Sequence, residues 1–320
     1  MRVEARGMRW RRCRVVALLL LLAALPPRRL PAQTLTVYNA GSLGRPLREA
    51  LTAFAADRPG LALAQENAGS LESARKLTEL GKIPDVIALA DEAVFPALLV
   101  PRHVTWYAAF ARNEMVLAYT DRSVGAAEIT AANWTAILLR PDVRIGRSDP
   151  LLDPNGYRTL MVLQLEERRA RVPGLASRLL AAMPPRYIRP KEADLVAQLQ
   201  VGELDYAWSY RSVAQVSGLR YLDLPPEVDL SDPIRTELYA TASIRIPRAA
   251  SRDSITIVGA PILYALAIPK GAENPVVARA FVQWLFSARG REILTRNGFT
   301  VLERPIVHGE APPWLRALAR

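Results

Sequence analysis

Apolar positions in the first hundred residues switch between two spacings. Leu35-Thr36-Val37-Tyr38 alternates as a strand does, and Leu47, Leu51, Phe54 and Ala55 then recur at helical spacing. The order repeats. After the break Arg58-Pro59-Gly60 comes a short strand, Leu61-Ala62-Leu63, ending near Gln65. A helix marked by Ala74, Leu77 and Leu80 follows and stops at Gly81. Val86 to Ala90 is continuously apolar, as a parallel strand covered on both faces should be. The pattern predicts β-α-β-α-β, an open α/β lobe. Asn113 to Thr120 and, far downstream, Ile262 to Pro269 read as paired strands. The chain between them is long enough for a second lobe, so two crossings would form a hinge beside a cleft. That lobe is expected to hold a strand at Val143 to Gly146, a helix marked by Leu195 and Leu199 that stops near Gly202, and a strand from Tyr206 to Tyr210. Helices around Ala278 to Phe286 and Gly290 to Gly298 close the chain as packing elements.

One tetrapeptide occurs twice in this pattern. Ala40-Gly41-Ser42-Leu43 and Ala68-Gly69-Ser70-Leu71 both sit where a predicted strand gives way to a helix. Such a join is ordinarily a helix cap, its serine satisfying the first turn. Its repetition in one context supports another use. Glycine admits close approach of a ligand. First-turn N–H groups lack intrahelical partners and lie at the positive end of the helix dipole. Two such ends would cradle an anion without a buried cation.

Composition narrows the field. The 320 residues suffice for two lobes, and with 50% hydrophobic residues a large core can form. The net charge of +11 suggests nucleic acid until the N-terminus is set aside: eight arginines and one acid within residues 1–32 carry +7 of it. The remaining charges are scattered, without a basic run interleaved with aromatics, so nucleic-acid binding is not expected. Arg9, Arg11, Arg12 and Arg14 precede an apolar run from Val15 to Leu25, which Pro26-Pro27 ends, and Ala32 offers a small residue for cleavage. This is the pattern of an export signal, with an apolar run shorter than a membrane span. A periplasmic or extracytoplasmic location follows as an expectation. Cys13 is the only cysteine, so no disulfide framework is expected in the exported chain. No Gly-x-Ser-x-Gly elbow is present, and His103 and His308 are the only histidines, so an enzyme is not expected.

Two polar segments in the second half remain. Asp153-Pro154-Asn155-Gly156-Tyr157-Arg158 reads by composition as a turn, and Glu192 in Lys191-Glu192-Ala193-Asp194-Leu195 as dipole compensation at a helix start. Together with the two Ala-Gly-Ser-Leu copies, Trp106-Tyr107-Ala108-Ala109-Phe110-Ala111-Arg112-Asn113-Glu114, Asn133-Trp134 and Arg140-Pro141-Asp142-Val143, these segments resemble the tungstate/molybdate-binding proteins of ABC importers over about residues 35–303. The likeness is strongest to the branch that holds the metal oxyanion in expanded coordination.

The resemblance implies a periplasmic binding protein fold of type II, an α/β architecture in which each lobe is an open mixed sheet flanked by helices. Expected boundaries are 1–32 for the signal, 33–116 with 262–320 for the first lobe, and 117–261 for the second. Carried over by residue, Gly41, Ser42, Gly69 and Ser70 would bind oxo groups from the first lobe. The Asn155 backbone N–H and the Tyr210 hydroxyl would do so from the second. Asp153 and Glu192 would ligate the molybdenum or tungsten centre. Many relatives have Cys in place of Asn155. No cofactor is expected, the oxyanion being cargo. Sulfate, thiosulfate or phosphate is the alternative ligand. The expected partner is a membrane permease, met transiently by a monomer.

Overall fold

The computed structural model describes residues 33–247 and 254–319. The expected export signal, residues 1–32, lies outside the described residues. With strands numbered along the chain, one sheet holds β1 (Thr34–Ala40), β2 (Ala62–Ala68), β3 (Val86–Leu89), β4 (Trp106–Arg112), β12 (Leu263–Ala267) and β13 (Thr300–Gly309). A second holds β5 (Met115–Tyr119), β6 (Ile145–Ser148), β7 (Ile188–Arg189), β8 (Tyr206–Tyr210) and β9 (Arg220–Asp223). A separate hairpin pairs β10 (Ser243–Pro247) with β11 (Ser254–Val258).

The first sheet runs β2-β1-β3-β12-β4-β13 and the second β7-β6-β8-β5-β9. Both follow one plan. β1 is parallel to β2 and β3, and β6 is parallel to β7 and β8. Next in each sheet comes an antiparallel strand, β12 or β5, reached from the other lobe. The chain is therefore a two-lobed α/β protein of the type II plan. It leaves the first sheet after Arg112 and enters the second at Met115, because β5 pairs with β8 from Met115 onward and with β9 from Val116 onward. This crossing falls before the expected 116/117 boundary. Backbone bonds tie the crossings together: Asn113 N–H to Ile262 O (3.3 Å), Met115 N–H to Asp229 O (2.8 Å) and Ile262 N–H to Leu230 O (2.8 Å).

The core explains which strands were legible. β3, Val-Ile-Ala-Leu, is buried along its whole length, as a strand with helices on both faces must be. β2 extends through Gln65, Glu66 and Asn67 to Ala68, past the expected end near Gln65, because it is the sheet edge and only half-buried. β6 lies at Ile145–Ser148 rather than 143–146, with Arg147 and Ser148 buried although polar.

Helix α1 (Gly44–Ala55) follows β1, and α2 (Ser70–Leu80) follows β2. Strand order 2-1-3 with right-handed crossovers sets them on opposite faces of the sheet. α1 is covered by the helices Pro275–Leu285 and Ala288–Arg296, Phe54 meeting Phe281 at 5.3 Å and Trp284 at 6.0 Å between ring centres. α2 ends as expected at Gly81, whose φ of 63° suits a glycine. In the second lobe α3 (Pro154–Ala170) and α4 (Glu192–Val201) follow β6 and β7 in the same way.

The lobes meet at close quarters along these strand ends. A β-carbon built on Gly69 would lie 2.1 Å from Leu152 O and 3.3 Å from Asp153 Cα, both in the second lobe. Neither is a side chain that could swing aside. One built on Gly41 would meet nothing nearer than Lys191 Cβ at 3.9 Å, an ordinary contact. Gly69→Ala is therefore expected to hold the lobes apart, while Gly41→Ala closes normally. Small-angle scattering checks this. A larger radius of gyration is expected for Gly69→Ala alone, and equal radii for both variants and the parent would refute the reading.

Candidate functional site

Register explains why the tetrapeptide repeats. Ala40 and Ala68 are the last paired residues of parallel neighbours β1 and β2, directly opposite one another. The two Gly-Ser pairs thus leave the sheet at one level, at its carboxyl edge and beside the switch point between β1 and β3 where such sheets take ligands. The edge is pinned from within. Asn39 Nδ2 donates to Ala40 O (2.7 Å) and Asn67 Oδ1 (2.8 Å), and Gln65 Nε2 donates to Asn39 Oδ1 (3.0 Å).

Neither serine is a cap. Ser70 is fully buried, and its Oγ accepts the Ala90 N–H at 3.0 Å from the end of β3. Ser42 Oγ accepts from the Tyr264 hydroxyl at 2.9 Å, and Tyr264 in turn accepts from Asn113 Nδ2 at 3.3 Å. In the second lobe the Tyr210 hydroxyl accepts from the Arg158 guanidinium at 2.8 Å. A hydroxyl has one proton. With a donor already on each oxygen, and no acceptor on any of the three protons among the described residues, Ser42, Ser70 and Tyr210 are all left as donors toward a ligand. Burial, with Asp153 and Glu192 nearby, pushes the Tyr210 phenol well above its usual range, so it keeps its proton.

The acids stand at equivalent strand ends of the other lobe. Asp153 caps α3 after β6, and Glu192 opens α4 after β7. Asp153 Oδ1 accepts the Asn155 N–H (3.1 Å) and Oδ2 the Glu192 N–H (3.0 Å). Glu192 Oε1 accepts the Ser209 hydroxyl and the Tyr210 N–H, each at 2.6 Å. Glu192 Oε2 is buried with no hydrogen-bond partner among the described residues. Such an atom costs free energy unless a ligand completes it. Neither acid has a salt-bridge partner among the described residues. Burial pushes Glu192 up to about 8, the neighbouring Asp153 charge adding to it while Ser209 and Tyr210 oppose it. Burial pushes Asp153 up to about 6 against the N–H groups of Asn155 and Glu192.

Closure sets these groups against each other. Gly41 faces Lys191, and Gly69 faces Leu152 and Asp153. Gly41, Ser42 and Glu192 line one cleft of about 400 Å³, with Arg45, Arg48 and Lys191 also on its wall. Gly69, Ser70, Asp153, Asn155 and Tyr210 are not on that wall. Among the described residues no group of three His, Cys, Asp or Glu could hold a bare cation.

The sequence placed Ser42, Ser70, Glu192 and Tyr210 at strand or helix ends, where the structure has them, whereas Asp153, read by composition as part of a turn, caps the 17-residue helix α3. Asn155 differs in its contact. Its backbone N–H, expected to face a ligand, is held by Asp153 because that side chain caps α3. Its Oδ1 accepts from Ser148 at 3.2 Å, while its Nδ2 is buried without a partner among the described residues. The residues missed were Tyr264, Asn113 and Arg158. Asn113 and Arg158 were quoted within motifs but given no role, and the only signal for Tyr264 was a polar group inside an otherwise apolar strand.

Comparison with known proteins agrees with this architecture. Residues 35–300 match the family model described as bacterial extracellular solute-binding protein. An uncharacterized solute-binding protein of Petrotoga mobilis is 42% identical, over 85% of this chain and 84% of its own. The molybdate/tungstate-binding protein WtpA of Pyrococcus abyssi is 34% identical, over 89% of each. Among solved structures, the Azotobacter vinelandii periplasmic molybdate-binding protein superposes with a TM-score of 0.60 at 16% identity, over 84% of this chain and 99% of its own, a likeness of fold. The chain belongs to the bacterial extracellular solute-binding proteins.

Proposed function

We propose that this protein captures molybdate or tungstate between its lobes and delivers it to an ABC permease. The observation that carries the reading is the Asp153–Glu192 pair, buried without a bonded cation and opposed by hydroxyls whose free groups are all donors. Like charges about 4 Å apart repel by several kcal/mol even at an effective dielectric near 20. Carboxylates facing the oxygens of a dianion would therefore expel it. The conflict disappears when Asp153 and Glu192 bond to the metal atom itself, which molybdenum and tungsten permit by expanding their coordination. Sulfur and phosphorus do not do so here, so the same acids exclude sulfate and phosphate. Ser42, Ser70 and Tyr210 would hold the oxo groups, and Asn155 would act by fixing Asp153. The Pyrococcus abyssi relative's name supports the choice of ligand. Binding and delivery, without catalysis and without a resident cofactor, complete the reading. Export would use residues 1–32.

Calorimetric titration of residues 33–320 with molybdate, tungstate and sulfate tests this. One-to-one binding of the first two with sulfate silent is expected, and sulfate binding at equal strength would remove the proposed role of the acids. Glu192→Gln should weaken molybdate binding by about 100-fold or more. Undiminished affinity in an Asp153→Ala, Glu192→Ala double variant would refute direct ligation.

The pH dependence has a defined sign. A ligating carboxylate must lose its proton, and Glu192 is raised to about 8 in this closed arrangement. Binding below that pH releases the proton, so affinity should climb by roughly tenfold per pH unit toward 8 and then level off. Asp153, raised to about 6, steepens the fall below that value. Affinity that instead drops as pH rises through 8 would make Glu192 a protonated donor to an oxygen.

A further inference from the structure

Tyr157 and Arg158 are the fourth and fifth residues of α3, after the Asp153 cap, yet the proposed ligand shell uses neither. Both are buried, and both reach across to the first lobe. Arg158 Nη1 donates to Ala90 O at 2.7 Å, and Nη2 lies 3.1 Å from Asp91 Oδ2. The Tyr157 hydroxyl donates to the same Asp91 oxygen. Arg158 also donates to the Tyr210 hydroxyl, and Ala90 presents its N–H to Ser70. One guanidinium therefore touches a ligand donor of its own lobe directly. It touches a donor of the opposite lobe through a single intervening residue. Burial works against its charge, but Asp91, aided by Tyr210 and Tyr157, more than offsets this and holds the guanidinium above its ordinary range. Lysine could not span three acceptors in this planar spread.

Resting on the oxyanion reading, we propose that Arg158 is a positioning residue and, with Tyr157 and Asp91, an interlobe clasp that sets how long the cargo stays. The clasp acts in two ways. Arg158 occupies the Tyr210 oxygen, so the phenol proton can point only to the cargo. The Asp91 contacts oppose reopening, so release must break a buried charge pair. Capture needs neither step completed in advance, so the clasp governs departure more than arrival.

Stopped-flow fluorescence with molybdate on residues 33–320 separates these rates. Arg158→Lys and Asp91→Asn should raise the dissociation rate by about tenfold or more while leaving the association rate within about threefold. Tyr157→Phe, which deletes one hydroxyl, should raise dissociation by a smaller factor. Arg158→Lys combined with Tyr210→Phe should lose less than the product of the two single effects, as expected if the arginine acts through that phenol. Unchanged dissociation in variants that melt at the parent temperature would overturn the clasp, and Tyr157→Phe keeps this test available if the charge variants fail to fold. A parent protein that binds no molybdate would instead sink the ligand reading. The clasp is then tested without cargo: Asp91→Asn should have a larger radius of gyration than the parent, and equal radii would overturn it.

Discussion

The central constraint is electrostatic. Two carboxylates, Asp153 and Glu192, are buried together at the N-termini of two helices with no cation bonded to either among the described residues. Helix dipoles and N–H groups make the charges tolerable, but burial still pushes both acids upward and leaves one Glu192 oxygen unpartnered. A site of this kind has an unfilled requirement. It needs an electron-poor atom near the acids and acceptors near the hydroxyls. In the proposed reading a metal oxyanion would supply both in one molecule, its centre to the acids and its oxygens to Ser42, Ser70 and Tyr210. A bare cation supplies only the first, and sulfate only the second.

The two lobes meet this requirement with one plan used twice. In each, the first two parallel strands end in turns that start helices, and the third strand ends beside them. The first lobe places serines at the helix starts, and the second places acids there. Ala90, past the end of β3, and Tyr210, at the end of β8, then occupy matching places and are joined through Arg158. The division of chemistry between lobes makes closure part of recognition, because neither half alone surrounds the anion. Gly69 shows how tight that closure is: a single added carbon would collide with the backbone before Asp153.

Much of this was legible in the sequence because it depends on local pattern. The β-α-β-α-β order follows from apolar spacing, and the repeated Ala-Gly-Ser-Leu marks two equivalent strand-to-helix joins. Their exact level in the sheet comes from the Ala40–Ala68 register, which no local pattern encodes. The acids were singled out by resemblance, since composition alone read them as a turn and a dipole contact. The relay Asn113–Tyr264–Ser42 was not legible. Tyr264 is 222 residues from Ser42 along the chain and lies in a strand otherwise read as core. The Asn155 N–H, expected at the ligand, is held here by Asp153, because capping competes for the same N–H and only the geometry decides that competition. Arg158 was quoted within a motif, but its reach to Ala90 and Asp91 depends on how the lobes close.

X-ray absorption at the molybdenum edge of the bound complex tests the central claim most directly. The account predicts an expanded, octahedral metal centre with added light-atom ligands at longer distances than the oxo groups, reverting to tetrahedral or lost when Asp153 and Glu192 are both replaced. A tightly bound oxyanion that remains tetrahedral in the parent protein would contradict it, leaving the donors of the cradle in place but the acids without the role given to them.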